Sequence, residues 1–215
     1  MPRRALRKID PALKLEEYLF EPMQLPQPWR QTPLFAREAP LEIEVGSGKG
    51  LFMTSSAQAR PEHNFLGIEL ADRYAEYCAA RLARKSLPNA RMVSGDALKV
   101  FNEILPGGCA AAVHVYFPDP WWKNRHRKRR VMNEQLVEDI FRVLEPSGVL
   151  HFWTDVEEYF HSTLDLIRDA SKFAGPITVS ELDPQHDLDF RTHFERRMRL
   201  HGEPVYRSEF RKPAE

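Results

Sequence analysis

From Leu41 onward, short apolar runs alternate with stretches whose apolar residues recur at helical spacing. An apolar run bounded by turn residues reads as a strand, and a period of about 3.6 residues reads as an amphipathic helix. The pattern therefore predicts a first strand over Leu41 to Val45, a helix over Gly50 to Ala59 and a second strand over Phe65 to Ile68. Tyr74, Cys78 and Leu82 mark the inner face of a helix ending near Lys85. Arg91 to Ser94 reads as a short third strand, and Ala110 to Phe117 as a fourth. The fourth is nearly all apolar, as a strand covered on both faces should be.

Asn133 is placed to cap a helix with Leu136, Ile140, Phe141 and Leu144 on one face, ended by Pro146-Ser147-Gly148. Val149 to Trp153 is a fifth strand. Thr154 and Asp155, followed by Glu157 and Glu158, read as a capping-box start to the next helix. Beyond Pro176 two strand-like pieces, near Ile177 to Ser180 and Arg196 to Leu200, flank a polar loop. Alternating strands and helices imply an α/β fold with a mostly parallel sheet, here with an antiparallel C-terminal addition. Residues 1 to 40 carry seven prolines and read as an irregular, partly disordered Pro/Arg-rich arm before a single domain over 41 to 215.

Net charge is zero, with 31 basic and 31 acidic residues, but the basic charge is clustered. Six Lys and Arg fall between Lys123 and Arg130, and Arg3, Arg4, Arg7, Lys8 and Lys14 crowd the N-terminus. Such clustering points to nucleic acid more than the overall sum does. Two cysteines, Cys78 and Cys109, are too few for a disulfide framework or a zinc site, and the histidines show no metal-ligand spacing. No apolar run approaches membrane-spanning length and no apolar signal core follows the N-terminus. The expectation is a soluble cytoplasmic protein without a metal or a membrane partner.

The segment Phe117 to Arg130 reads FPDPWWKNRHRKRR. A residue preceding proline is driven from the α region, so Phe117 and Asp119 are both expected to be extended. Asp119 is then presented on a stiff loop beside Lys123, Arg125, His126, Arg127, Lys128, Arg129 and Arg130, a segment suited to phosphates. Trp121 and Trp122 are candidate base-stacking surfaces, with core packing the competing reading for at least one of them.

The turn Glu44-Val45-Gly46-Ser47-Gly48-Lys49-Gly50 joins the first strand to its helix. Glycines at alternate positions let the backbone turn tightly and approach a ligand. A phosphate-binding P-loop needs Ser or Thr after Gly-Lys, and a dinucleotide fingerprint needs a glycine where Leu51 stands. The G-x-G-x-G spacing instead resembles an S-adenosylmethionine loop. Glu69 ends the second strand, where an acid can accept both ribose hydroxyls. Asp96 follows the third strand and is either an adenine-facing acid or a helix cap.

With E-V-G-S-G-K-G at 44–50, G-I-E at 67–69, P-D-P-W at 118–121, R-H-R-K-R-R at 125–130, Thr154-Asp155 and T-H-F-E at 192–195, the chain closely resembles the bacterial tRNA (guanine-N(7)-)-methyltransferase family. The resemblance implies a Rossmann-like class I methyltransferase that moves a methyl group from S-adenosylmethionine to guanine 46 in the tRNA variable loop. It also implies that Glu44, Gly46, Gly48, Gly50, Glu69, Asp96 and Asp119 surround the donor. By the same comparison Lys123, Asp155 and the segment from Thr192 to Glu195 contact substrate. Relatives often carry Pro or His where this chain has Trp122. A methyltransferase for another substrate, a non-catalytic RNA-binding module and a nicotinamide-dependent dehydrogenase are the rival readings. Oligomeric state, monomer or homodimer, is left open.

Overall fold

The computed structural model describes residues 6–180 and 190–214; Arg3 and Arg4 of the basic N-terminus lie outside them. In chain order the elements are β1 (Leu19–Phe20), α1 (Thr32–Phe35), β2 (Leu41–Val45), α2 (Leu51–Ala59), β3 (Asn64–Glu69), α3 (Asp72–Arg84) and β4 (Ala90–Ser94). There follow α4 (Ala97–Lys99), which runs into a wider helical turn at Val100–Ile104, and β5 (Ala110–Tyr116). A 3-10 stretch (Asn124–Arg129), α5 (Glu134–Val143), β6 (Leu144–Thr154), α6 (Glu157–Ala170), β7 (Ala174–Thr178), α7 (His193–Leu200) and β8 (Tyr206–Arg211) complete the chain.

The strands form one sheet in the order β1-β4-β3-β2-β5-β6-β8-β7. Pairing is parallel from β1 through β6 and antiparallel where β8 joins β6 and β7. The chain leaves β2 toward β3 on one side and later returns to its other side with β5. That reversal opens a crevice at the carboxyl ends of the strands, where open α/β sheets bind ligands. Every residue of β2 is buried, as expected with helices on both faces. Leu41, Ile43 and Val45 face a core with Val113, Val115, Leu136, Ile140 and Phe152, while Phe52, Met53, Phe65, Cys78 and Leu82 fill a second core.

The structure departs from the sequence expectation in particular places. Arg196 to Leu200 is helical, not a strand, because Thr192 Oγ1 accepts the Glu195 N–H at 3.0 Å and Glu195 Oε2 accepts the Arg191 N–H at 2.6 Å. This reciprocal capping nucleates α7. The last strand is instead Tyr206–Arg211, whose alternation of Ser208 and Phe210 inward is masked by its charged residues. Leu144 belongs to β6, opposite Ala110, and Val137 rather than Phe141 is fully buried on α5. Tyr74 is only half-buried, and Ala75, Cys78, Ala79 and Leu82 form the inner face of α3.

Thr154 and Asp155 do not cap α6: Thr154 Oγ1 accepts the Val156 N–H at 3.3 Å, and the cap position falls to Val156. Phe117 is not extended but left-handed, with φ 50°. Its N–H donates to Trp153 O at 2.8 Å and its ring lies 4.9 Å from that of Phe194, so tertiary contacts override the local preference. Residues 6 to 40 are mainly irregular, with short 3-10 pieces at Leu15–Glu17 and Pro22–Gln24, but β1 pairs with β4, and Leu25, Leu34 and Phe35 are buried.

Candidate active site at the carboxyl end of the sheet

Gly46, Gly48 and Gly50 all have positive φ, at 81°, 51° and 68°, so the turn after β2 is one that bulkier residues would strain. A Cβ on Gly46 or Gly48 would meet nothing within 4 Å, so the turn faces open space. Gly50 differs, since a Cβ there would sit 2.1 Å from Cys78 Sγ. Its bareness serves the packing of the turn on α3.

Glu69 at the end of β3 braces the turn, its Oε2 accepting the Gly48 N–H at 2.8 Å and its Oε1 the Ala71 N–H at 3.0 Å. Glu44, at the end of β2, is 2 % exposed, and its Oε2 has no hydrogen-bond partner among the described residues. Burial, with the Glu69 charge nearby, pushes its carboxyl up to about 8. Asp96 caps α4, its Oδ1 accepting the Leu98 N–H at 2.9 Å. Capping occupies one oxygen and leaves the residue at the end of β4, so the cap and site readings are compatible. A Cβ on the adjacent Gly95 would lie 2.6 Å from Pro22 Cγ, which brings the N-terminal segment to this end of the crevice.

Asp119 is exposed on the loop after β5. Arg130 clamps that loop: its Nε donates to Pro120 O at 2.8 Å and its guanidinium lies 4.4 Å from the Tyr159 ring centre. Trp121 is half-buried with φ 45°, edge-on to His126 at 5.8 Å and 5.2 Å from the Arg129 guanidinium. Trp122 is 63 % exposed. Lys123, Arg125, Lys128 and Arg129 are exposed; the Arg127 side chain lies outside the described ones. Asp155 stands at the end of β6, its carboxyl raised by burial.

Thr192 and Glu195 serve first as the start of α7. Glu195 is 3 % exposed, 3.4 Å from Arg207 and 3.7 Å from Arg199. Their neighbours reach the crevice. Phe194 packs on Phe117, and His193 Nε2 lies 3.1 Å from Arg81 Nη1. That same Arg81 nitrogen donates to Lys49 O at 2.6 Å, and Arg81 Nη2 to Thr54 Oγ1 at 3.2 Å. Arg81 thus ties the glycine turn to α7. Nothing in the sequence separates it from the other arginines of α3.

The carboxyl ends of β2, β3, β4, β5 and β6 thus carry or lead into Glu44, Glu69, Asp96, Asp119 and Asp155 along one edge of the sheet, with the basic stretch following Asp119. The open face of Gly46 and Gly48 and the unpartnered Glu44 oxygen fit a ligand with polar hydrogens, such as S-adenosylmethionine. No helix among the described residues is long and apolar enough to cross a membrane. The sheet order and glycine turn define a class I methyltransferase fold. In agreement, the 16S rRNA methyltransferase KamB superposes with a TM-score of 0.62 at 16 % identity, covering 84 % of this chain and 91 % of that one. The aminoglycoside resistance methyltransferase NpmB1 gives 0.56 at 19 %, covering 83 % and 89 %.

Sequence comparison narrows the class. Residues 38–208 match a family model described as "Putative methyltransferase". A tRNA (guanine-N(7)-)-methyltransferase of Rhodopirellula baltica is 50 % identical over 218 residues, covering 99 % of this chain and 80 % of that protein. One from Aeromonas hydrophila is 34 % identical, covering 84 % and 76 %. The chain belongs to the tRNA (guanine-N(7)-)-methyltransferase family.

Proposed function

We propose that the protein transfers the methyl group of S-adenosylmethionine to N7 of guanine 46 in the variable loop of tRNA, in the cytoplasm, forming 7-methylguanosine. What carries the reading is that an open glycine turn follows β2 while Asp119 and a cationic segment follow its paired neighbour β5. When bound, S-adenosylmethionine supplies a methyl group on an electrophilic sulfonium. Glu69 keeps a lone pair on each oxygen beyond the N–H groups it already accepts, enough to receive two ribose hydroxyls. Glu44 would accept from the donor's ammonium group, and Asp96 would hold its adenine end.

Guanine N7 presents its lone pair in the ring plane, so no proton must leave before attack. Positive charge then moves onto the purine, and Asp119 stabilises that charge from a loop held by Arg130. Lys123, Arg125, His126, Arg127, Lys128, Arg129 and Arg130 engage phosphates. Asp155 and the Thr192 to Glu195 segment bound the substrate side. The test uses labelled S-adenosylmethionine, unmodified tRNA and mapping of the product by chain cleavage at 7-methylguanosine. Label at the variable-loop guanine is expected, with Asp119→Ala lowering turnover by roughly 100- to 1000-fold. Label elsewhere, or none, refutes the assignment. At saturating donor, turnover that requires a deprotonated group near neutrality, and still does so in Glu44→Gln, refutes the electrostatic role.

A further inference from the structure

The two tryptophans of the Asp119 loop are adjacent in sequence and opposite in setting. Trp121 is engaged by His126 and Arg129 within the loop. Trp122 is 63 % exposed and is the one aromatic among the strongly exposed large apolar side chains of the described residues. Its support is firm. Pro118 and Pro120 fix φ at two positions of the loop, and Arg130 bonds Pro120 O at 2.8 Å while lying over Tyr159. A wide indole face is thus held out to solvent three residues from Asp119, directly before the exposed Lys123 and three residues before the exposed Arg125.

Cations around a lone exposed aromatic suit an anionic chain with flat apolar rings better than an apolar protein surface. Unpaired nucleobases on a phosphate backbone have that chemistry, and stacking on aromatic side chains is how single-stranded bases are commonly held. We propose that Trp122 is a stacking platform for an unpaired base of the tRNA substrate, with Trp121 as its structural anchor. This rests on the functional reading above. Trp122 is then a substrate-positioning residue, acting through ring area and not through charge.

The test compares unaltered protein, Trp122→Ala, Trp122→Tyr and Lys123→Ala in methylation kinetics on unmodified tRNA at saturating donor. Donor affinity and melting temperature serve as controls. Trp122→Ala should raise KM for tRNA about ten-fold or more, with donor affinity and melting temperature unchanged and Trp122→Tyr recovering most of the loss. The salt dependence of tRNA binding separates the two chemistries. Lys123→Ala should reduce the log–log slope by about one, and Trp122→Ala should leave it unchanged. An unchanged KM in Trp122→Ala, or a rise traced by sedimentation to a lost dimer, overturns the stacking role alone. Failure of the unaltered protein to methylate the variable-loop guanine overturns the functional reading, and this proposal with it.

Discussion

Glu42 and Glu44 stand two residues apart on one face of β2, at 3 % and 2 % exposure, and are held in opposite states. Glu42 Oε1 meets Arg60 Nη1 and, at 2.7 Å, His63 Nδ1; its Oε2 lies 2.8 Å from His114 Nε2. Burial alone would raise this carboxyl, but those bonds and the Arg60 charge hold it down at about 2. His114, kept neutral by burial, donates from Nε2 to Glu42 and accepts the Tyr116 hydroxyl hydrogen at Nδ1, 2.9 Å away. That tautomer is the one the hydrogen bonds allow. Glu44 has no such company, and burial pushes it up to about 8. Equal burial therefore does not mean equal purpose: one glutamate is completed by its own chain, the other left incomplete beside the glycine turn.

The largest effect is expected from removing the completed one. Glu42→Ala strands the cation and imidazoles gathered around it, which should cost about 3 kcal/mol or more. At roughly 2–4 °C per kcal/mol for a chain of this size, the melting temperature should fall by about 6–12 °C. A loss below about 1 kcal/mol in urea denaturation would erase the distinction between the two glutamates.

Acid and base should then expose the two groups separately. The folded Glu42 carboxyl lies below its ordinary 4.5, so its stabilisation is present above 4.5 and lost as pH falls toward 2. The folded Glu44 carboxyl lies above 4.5, so the folded state holds its proton more tightly than the unfolded chain. Its contribution therefore falls as pH rises from 4.5 to about 8, in protein without donor. Glu44→Gln should abolish the alkaline decline and spare the acid limb, and Glu42→Gln the reverse. Urea titrations across pH read both slopes.

Glu44→Gln sharpens the comparison at the ligand. It replaces a group already protonated at neutral pH, so folding stability should hold or rise. Donor affinity by calorimetry should nevertheless fall about ten-fold, near 1.4 kcal/mol, because the donor's ammonium group favours the ionised carboxylate and the amide cannot ionise. Unchanged donor affinity would make Glu44 a second structural acid.

The contrast also marks what the sequence could disclose. The glycine turn, its acids at successive strand ends and the Asn133 cap are local patterns, and the structure places them where the pattern does. The state of Glu42 depends on Arg60, His63 and His114, which lie 18, 21 and 72 residues away. The Arg81 tie joins Lys49 to His193 across 32 and 112 residues. No window along the chain contains such contacts. Helix α7 is illegible for a related reason: its apolar residues are few, and what fixes it is the Thr192–Glu195 capping pair with two arginines on the buried Glu195. Phe117 departs from the pre-proline preference because the Trp153 carbonyl and the Phe194 ring outweigh it.

The smallest effect tests whether the two glutamates are insulated from one another. Tyr116→Phe removes the hydroxyl that donates to His114 Nδ1 and keeps the ring against Phe52 and Trp153, at 5.3 and 5.0 Å. A buried acceptor then goes unpaired, which should cost about 1 kcal/mol, or roughly 2–4 °C in melting temperature. Tyr116 nonetheless ends β5 next to the Asp119 loop, one strand from the glycine turn. If the Glu42 network is purely structural, Tyr116→Phe leaves donor affinity and turnover unchanged despite that proximity. A fall in donor affinity of several-fold would mean instead that the network props the turn, and that completed and incomplete glutamates work as one unit.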